Sequence, residues 1–343
     1  MAITVCGTCI NFGSKLIKND PAGIYITGRF DFKGCSTITQ AQGVATSYVV
    51  GRDPQQTDIQ KFPFTSGSNA NAIGDLACGG EGNAGFSSAT HGYSAGGYAG
   101  PPFPDMHDAI EKFPFATDTN ASDVGQMRCD MHKRAATMSP THGYLAGGRS
   151  KNSDSCDHIG KFPFASEGAE ADVGNLPRTQ IDMTDGIMST DCGYHHAGSD
   201  SAGDYRFKYP FASDTNASFT GEAIPAALQT ERAVGHSSST DGFFSGGSKL
   251  SGPNPKKSCE IFKFPFASDT AVINSAYGNL VGQTSRTTGT SSDTSGFTTG
   301  GNSDSPPNAN LDRITCFPFA AASNATDVAE LATGARGGAG AQV

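Results

Sequence analysis

Six times the chain returns to the same triplet: Phe62-Pro63-Phe64, Phe113-Pro114-Phe115, Phe162-Pro163-Phe164, Tyr209-Pro210-Phe211, Phe264-Pro265-Phe266 and Phe317-Pro318-Phe319. Successive copies start 51, 49, 47, 55 and 53 residues apart. Self-similarity at one period restricts the chain to architectures that stack copies of a small unit, because a lone unit cannot bury its apolar faces. Ile-x-Lys precedes several copies, as in Ile59-Gln60-Lys61, Ile110-Glu111-Lys112 and Ile159-Gly160-Lys161, and this alternation reads as a strand. Proline has no N–H to give a ladder, so that strand should end near its Pro or lie toward a sheet edge. The recurring apolar pair predicts Phe rings packed between units.

A second motif runs in phase: Tyr93-x-x-Gly96-Gly97, Tyr144-x-x-Gly147-Gly148, Phe243-x-x-Gly246-Gly247 and Phe297-x-x-Gly300-Gly301, with degenerate copies at Tyr48 and Tyr194. A third follows each triplet, most fully as Ala116 to Gly125. From each triplet to the next Tyr or Phe the spacing is 31 to 34 residues, but from there to the next triplet it is 14 to 21. One connection, just after Gly-Gly, therefore carries most of the length variation, as loops on a fixed scaffold do.

Units of about 50 residues, each able to hold four short strands, predict an all-β fold, a six-bladed β-propeller. The 44 Gly supply the turns such a fold needs, and with no Trp the 22 Phe are its main large core residues. After Phe317 too few residues remain for another Tyr-x-x-Gly-Gly, and the first unit begins midway, near Gly43. The segment from Leu331 to Val343 is expected to pair with residues 43–50, so that a C-terminal strand closes the ring. A linear solenoid would need caps instead of a shared unit. Residues 1–40 form a separate N-terminal arm and 41–343 the propeller.

The order of elements resembles the kelch repeat. Arg232 and Arg286 stand eleven residues before Phe243 and Phe297, where kelch units often carry Arg; the other units have no Arg there, and the terminal Trp of kelch repeats is missing. Lys112 to Gly125 together with Thr141-His142-Gly143-Tyr144 also resemble repeats of virion structural proteins of marine bacteriophages, cyanophages among them, over about residues 43 to 343. That resemblance implies a virion structural protein, as a tail, knob, fibre or capsid decoration component, assembled in the host cytoplasm within a symmetric assembly. It implies no enzyme activity and no cofactor.

The formal net charge of -9 lacks the basic footprint of nucleic-acid binders. No apolar run is long enough for a membrane span, and the first residues do not read as a signal peptide. Nine Cys at no common repeat position predict reduced thiols rather than a disulfide framework. Cys6 and Cys9, with only Cys35 nearby, fall short of four zinc ligands. His195 and His196 are neighbours on a strand and should point to opposite faces, which disfavours a shared metal ion. Asp118-Thr119-Asn120 with Asp123 faintly resembles a calcium loop, but its copies lose the acids, so capping of its own turn is the simpler reading. The same holds for Asn120-Ala121-Ser122, Asn216-Ala217-Ser218 and Asn324-Ala325-Thr326, which fit a glycosylation pattern. Thr90-His91-Gly92 and Thr141-His142-Gly143 share one repeat slot and read as turn formers.

Two functional readings follow. In the first, residues 1–40 dock the ring to other virion proteins, leaving from the face that holds the regular turns. The opposite face presents the variable loops, with Tyr98, Phe103, His107, Arg149, Lys151, Lys256 and Lys257 as candidate binding residues for an acidic host-surface polysaccharide. In the second, the chain is a propeller enzyme acting on carbohydrate; the two acids this needs have candidates on the variable loops in Asp105, Asp108, Glu260 and Asp304, but nothing in the sequence pairs them.

Overall fold

The computed structural model describes residues 57–65, 67–98, 106–151, 155–180, 186–196, 206–220, 230–249, 257–268, 276–303 and 310–342, together with strands within 2–25 and at 42–46. The chain divides into two compact units, Met1–Ala41 and Gln42–Val343. The smaller one pairs Ala2–Val5 with Thr8–Asn11 and Lys18–Asp20 with Gly23–Tyr25, both antiparallel.

The larger unit is a β-propeller. Five blades are meanders of consecutive strands, running from an inner strand to an outer one. Blade one orders Ala84–Ser87, His91–Ala95, Ala109–Pro114 and Ser122–Gln126. Blade two orders Ala135–Met138, His142–Ala146, Cys156–Pro163 and Ala171–Gln180. Blade three runs from Ile187–Met188 to Ser218–Thr220, blade four from Val234–Ser237 to Gly278–Ser285, and blade five from Thr288–Ser291 to Thr326–Ala335. A further sheet is composite: Gly340–Gln342, Gln42–Thr46, Asp58–Pro63 and Asn71–Asp75. Leu331 to Ala335, expected in this composite sheet, instead complete the outer strand of blade five.

Each third strand ends at its Pro. The first aromatic of every triplet is buried. The second stacks on the aromatic of the Tyr-x-x-Gly-Gly motif one blade back: Phe164 on Tyr93 at 5.1 Å between centroids, Phe211 on Tyr144 at 4.8 Å, Phe266 on Tyr194 at 5.1 Å and Phe319 on Phe243 at 4.7 Å. These stacks run across blade boundaries, which is where a propeller keeps its core.

The third motif also works across that boundary. Asn216 Oδ1 accepts from the Asn175 N–H at 3.0 Å, and the next N–H, of Ala217, returns to the Asn175 carbonyl at 2.9 Å. Asn324-Ala325 clamps Asn279 in the same way, and Asn120-Ala121 clamps Asp75. Asp118 pairs with Lys61 of the preceding sheet at 3.1 Å, and Asp214 with Lys161 at 2.8 Å. The calcium-like and glycosylation-like segments are thus clamps between blades, whereas a cap on their own turn was expected. Blade two has Ala169-Glu170 at the clamp. There Gly168–Ala169 adds a short parallel strand to blade one, and Glu170 forms a fully buried ion pair with Arg134 at 2.8 Å.

Around the axis the inner strands crowd so closely that a Cβ on Gly289 would lie 2.7 Å from the Gly235 carbonyl. The remaining axial cavity, about 30 Å³, has room for about one water.

Candidate functional site

The strand registers fix which chemistry shares a face. Ala84 opposes Ala95 and Ile110 opposes Ala95, so the start of an inner strand, the Gly-Gly and the variable loop lie at one end of the blade. The Ser-x-x-His turns and the post-triplet turns lie at the other. In the turn Ser88 to His91, the Ser88 hydroxyl accepts from the N–H groups of Thr90 and His91, and blades two to five repeat this with Ser139, Ser189, Ser238 and Ser292. The repeated Thr-His slot is therefore a hairpin turn.

At the variable-loop end of blades one, two, four and five, the residue eleven places before the motif aromatic occupies the turn into the inner strand. Lys133, Arg232 and Arg286 hold φ of 58°, 56° and 56° there, and Gly82 holds 77°; Gly337, in the turn before Gly340–Gln342, holds 62°. These left-handed turns join in a belt of backbone hydrogen bonds around the axis. Lys133 N–H donates to Gly82 C=O, Gly82 to Gly337 and Gly337 to Arg286, each at 2.7 Å, and Arg286 donates to Arg232 at 3.3 Å. The corresponding turn of blade three lies outside the described residues.

The belt surrounds a pocket of about 80 Å³ whose lining includes Glu81, Lys133, Arg232 and Arg286. Arg286 Nη1 donates to the Glu81 carboxylate, and Arg232 Nη1 lies 3.6 Å from Glu231. Arg134 also lines the pocket, but its guanidinium is held by Glu170, Leu145 C=O and Gly147 C=O. The mouth is thus rich in cations within a chain of net charge -9. It is suited to hold an anion by charge-assisted hydrogen bonds.

Among the residues singled out from the sequence, Tyr98 is tied by its backbone to Glu81 of the pocket lining. It is exposed, its backbone exchanges hydrogen bonds with Glu81 at 2.9 and 3.0 Å, and its ring meets His132 edge-on at 6.0 Å. Arg149 is half-buried and opposes His132 in a short antiparallel pair. Lys151 is exposed, 3.9 Å from Asp130. Two residues differ from the exposed loop positions expected of them. His107 donates its backbone N–H to Gly97 C=O, and its side chain is buried, which pushes the imidazole pKa down. Lys257 is buried and gives its ammonium to Ser303 C=O at 2.7 Å. Phe103 and Lys256 lie outside the described residues.

Of the candidate acids, Glu260 is held by Ser258 and Lys249, each at 2.9 Å, Asp108 is half-buried, and Asp105 and Asp304 lie outside the described residues. His195 bonds Tyr209 OH of its own blade at 3.1 Å, while His196 stacks on Phe244 of blade four at 4.3 Å, so the two point apart. Cys78, Cys129, Cys156, Cys192, Cys259 and Cys316 are free thiols; Cys6 and Cys35 lie outside the described residues.

Arg232 and Arg286 stand out in the sequence only as kelch-like arginines with no role attached, and Lys133 of the same slot does not stand out at all. The signal was present: a cation eleven residues before the aromatic in three units. A scan against protein-family models found no match, and no curated protein matches the chain.

Proposed function

We propose that the chain is a virion structural protein of a bacteriophage that acts by binding rather than catalysis. Its ring has six blades, closed by Gly340–Gln342. Residues 1–40 join it to other virion proteins in a symmetric assembly, and the variable-loop face meets an acidic host-surface polysaccharide. Fold alone does not fix function; the side chains that a fold presents do. The observation that carries it is the division of chemistry between the two ends of the blades. The repeated polar residues of the regular end are spent on turns and on clamps between blades. The non-repeated Tyr98, Arg149 and Lys151 and the axial cations gather at the other end.

Four observations support six blades and closure. Gly340–Gln342 pairs with residues 43–45. The ring of Phe64 stacks on Phe297 of blade five at 4.5 Å. Asn69-Ala70 clamps Glu330 of blade five as the other Asn-Ala pairs clamp their neighbours. Gln60 bonds the backbone of Ala332 and Thr333.

The test is to locate the chain in purified particles by mass spectrometry and cryo-EM. It is expected in stoichiometric copies, and a chain lacking residues 1–36 should fold but fail to incorporate. Absence from particles, or normal incorporation of the shortened chain, overturns the reading.

A further inference from the structure

We infer that the axial mouth on the variable-loop face is a binding site for one compact oxyanion, a sulfate- or phosphate-sized group carried on a saccharide. The inference rests on the reading of the chain as a binding module and names what that module takes.

Two independent observations carry it. The first is the backbone. Left-handed φ is uncommon for residues other than Gly, and Gly fills the turn into the inner strand at Gly82 and the turn before Gly340–Gln342 at Gly337. At Lys133, Arg232 and Arg286 the chain keeps a long cationic side chain in a conformation that Gly would adopt without strain. Strain held at equivalent positions of three blades points to a use for the side chains, because the turn does not need them.

The second is the pocket. At about 80 Å³ it is far below the several hundred Å³ of sites that enclose a drug-sized ligand, yet it has room for one tetrahedral anion. Its lining brings cations from three blades together, with Glu81 on Arg286 as the acid inside it and Glu231 beside Arg232. Glu81 fixes the Arg286 fork, and its backbone pairing with Tyr98 ties the mouth to an exposed aromatic ring. An anion seated at the axis would leave its carrier running out across the face where Tyr98 stands.

The experiment uses the full chain and the double variant Lys133→Gly, Arg232→Gly, which removes two cations and relaxes two left-handed residues. Sodium sulfate and sodium phosphate are titrated against sodium chloride at equal ionic strength, so that screening is common to all arms. The wild-type chain should bind sulfate or phosphate and melt higher than in chloride. The variant should melt no lower than wild type in chloride, yet bind the oxyanion about tenfold or more weakly, as loss of charge-assisted bonds implies. A purely structural role for the cations would instead lower the melting temperature of the variant. A sulfated oligosaccharide should bind more tightly than free sulfate, and its desulfated form should not bind.

No difference between sulfate, phosphate and chloride overturns the site. So does a variant that binds as wild type does. A sulfated oligosaccharide that binds no better than free sulfate overturns the saccharide carrier. Failure here leaves incorporation through residues 1–40 untouched, and failure of incorporation leaves this titration unaffected.

Discussion

Phe113 shows how much one repeated residue carries. Its ring is buried, meets Phe115 edge-on at 6.1 Å, and lies so close to Gly92 that a Cβ there would sit 2.3 Å from the ring. The Gly before five of the six motif aromatics reads in sequence as a turn residue. At Gly92 it is demanded by packing, since the ring of the next strand covers it. Phe113→Ala should cost about 3–5 kcal/mol, read from chemical denaturation. A loss below about 1 kcal/mol would mean that the ring is not a core element. His236 makes a second residue-scale case. It is fully buried, bonded to Thr290 C=O at 3.2 Å and to Ser245 Oγ at 3.1 Å, and burial pushes its pKa down to about 4. The unfolded imidazole titrates near 6.5, so the native state binds fewer protons between those values. Stability from this group is complete above about pH 6.5 and is lost as pH falls toward about 4, by up to about 1.4 kcal/mol per pH unit. Melting temperatures of His236→Gln across pH 7 to 4.5 should fall less steeply than those of wild type. Identical slopes would contradict the assignment.

Strands and turns join through a few slots that differ in worth. The Asn216 clamp supplies an acceptor to a backbone N–H of the preceding blade, while Asp214 two residues earlier makes a surface ion pair with Lys161. An unpaired backbone donor costs more than a lost surface pair. Asn216→Ala should therefore destabilise by about 1–2 kcal/mol and Asp214→Ala by under about 1 kcal/mol. Equal effects in urea denaturation would show that the clamp is only a contact. The slots also compensate for one another. Blade five has Ala322 where Asp214 stands, and Lys263 of blade four turns instead to Asp241 at 3.2 Å, in the slot that holds His91 and His142 in blades one and two. Where blade five carries Cys316 in place of Lys, the following turn carries Gly67 in place of an acid. Lys61, Lys112 and Lys161 each keep an acid partner more than 50 residues further on, Lys263 finds one in Asp241 instead, and Cys316 and Gly67 lack both charges.

At the scale of the whole molecule, the proposed closure rests on the short strand Gly340–Gln342. Removing residues 336–343 spares the outer strand of blade five, which ends at Ala335, and takes away the strand facing residues 43–45. It also exposes the backbone edge of Gln42–Thr46 to pairing with other chains. The shortened chain should melt lower and aggregate in size-exclusion chromatography. A monomer that melts with wild type would mean that the ring holds without this strand.

The repeat and the alternation within it were enough to specify an all-β propeller, the end of each third strand at its Pro and the burial of the triplet aromatics. These follow from local rules of strand period, missing donors and apolar recurrence. The partners of the polar residues did not follow from those rules. Asn120, Asn216 and Asn324 look like caps of their own turns because a short side chain can always reach nearby backbone. Only the approach of the next blade decides that they bond outward instead. His107 and Lys257 occupy loops that read as exposed, and the fold buries both. Lys133, Arg232 and Arg286 are separated by 99 and 54 residues, and nothing local brings them together. Rotation about an axis does, because it converts one slot of a repeat into one site.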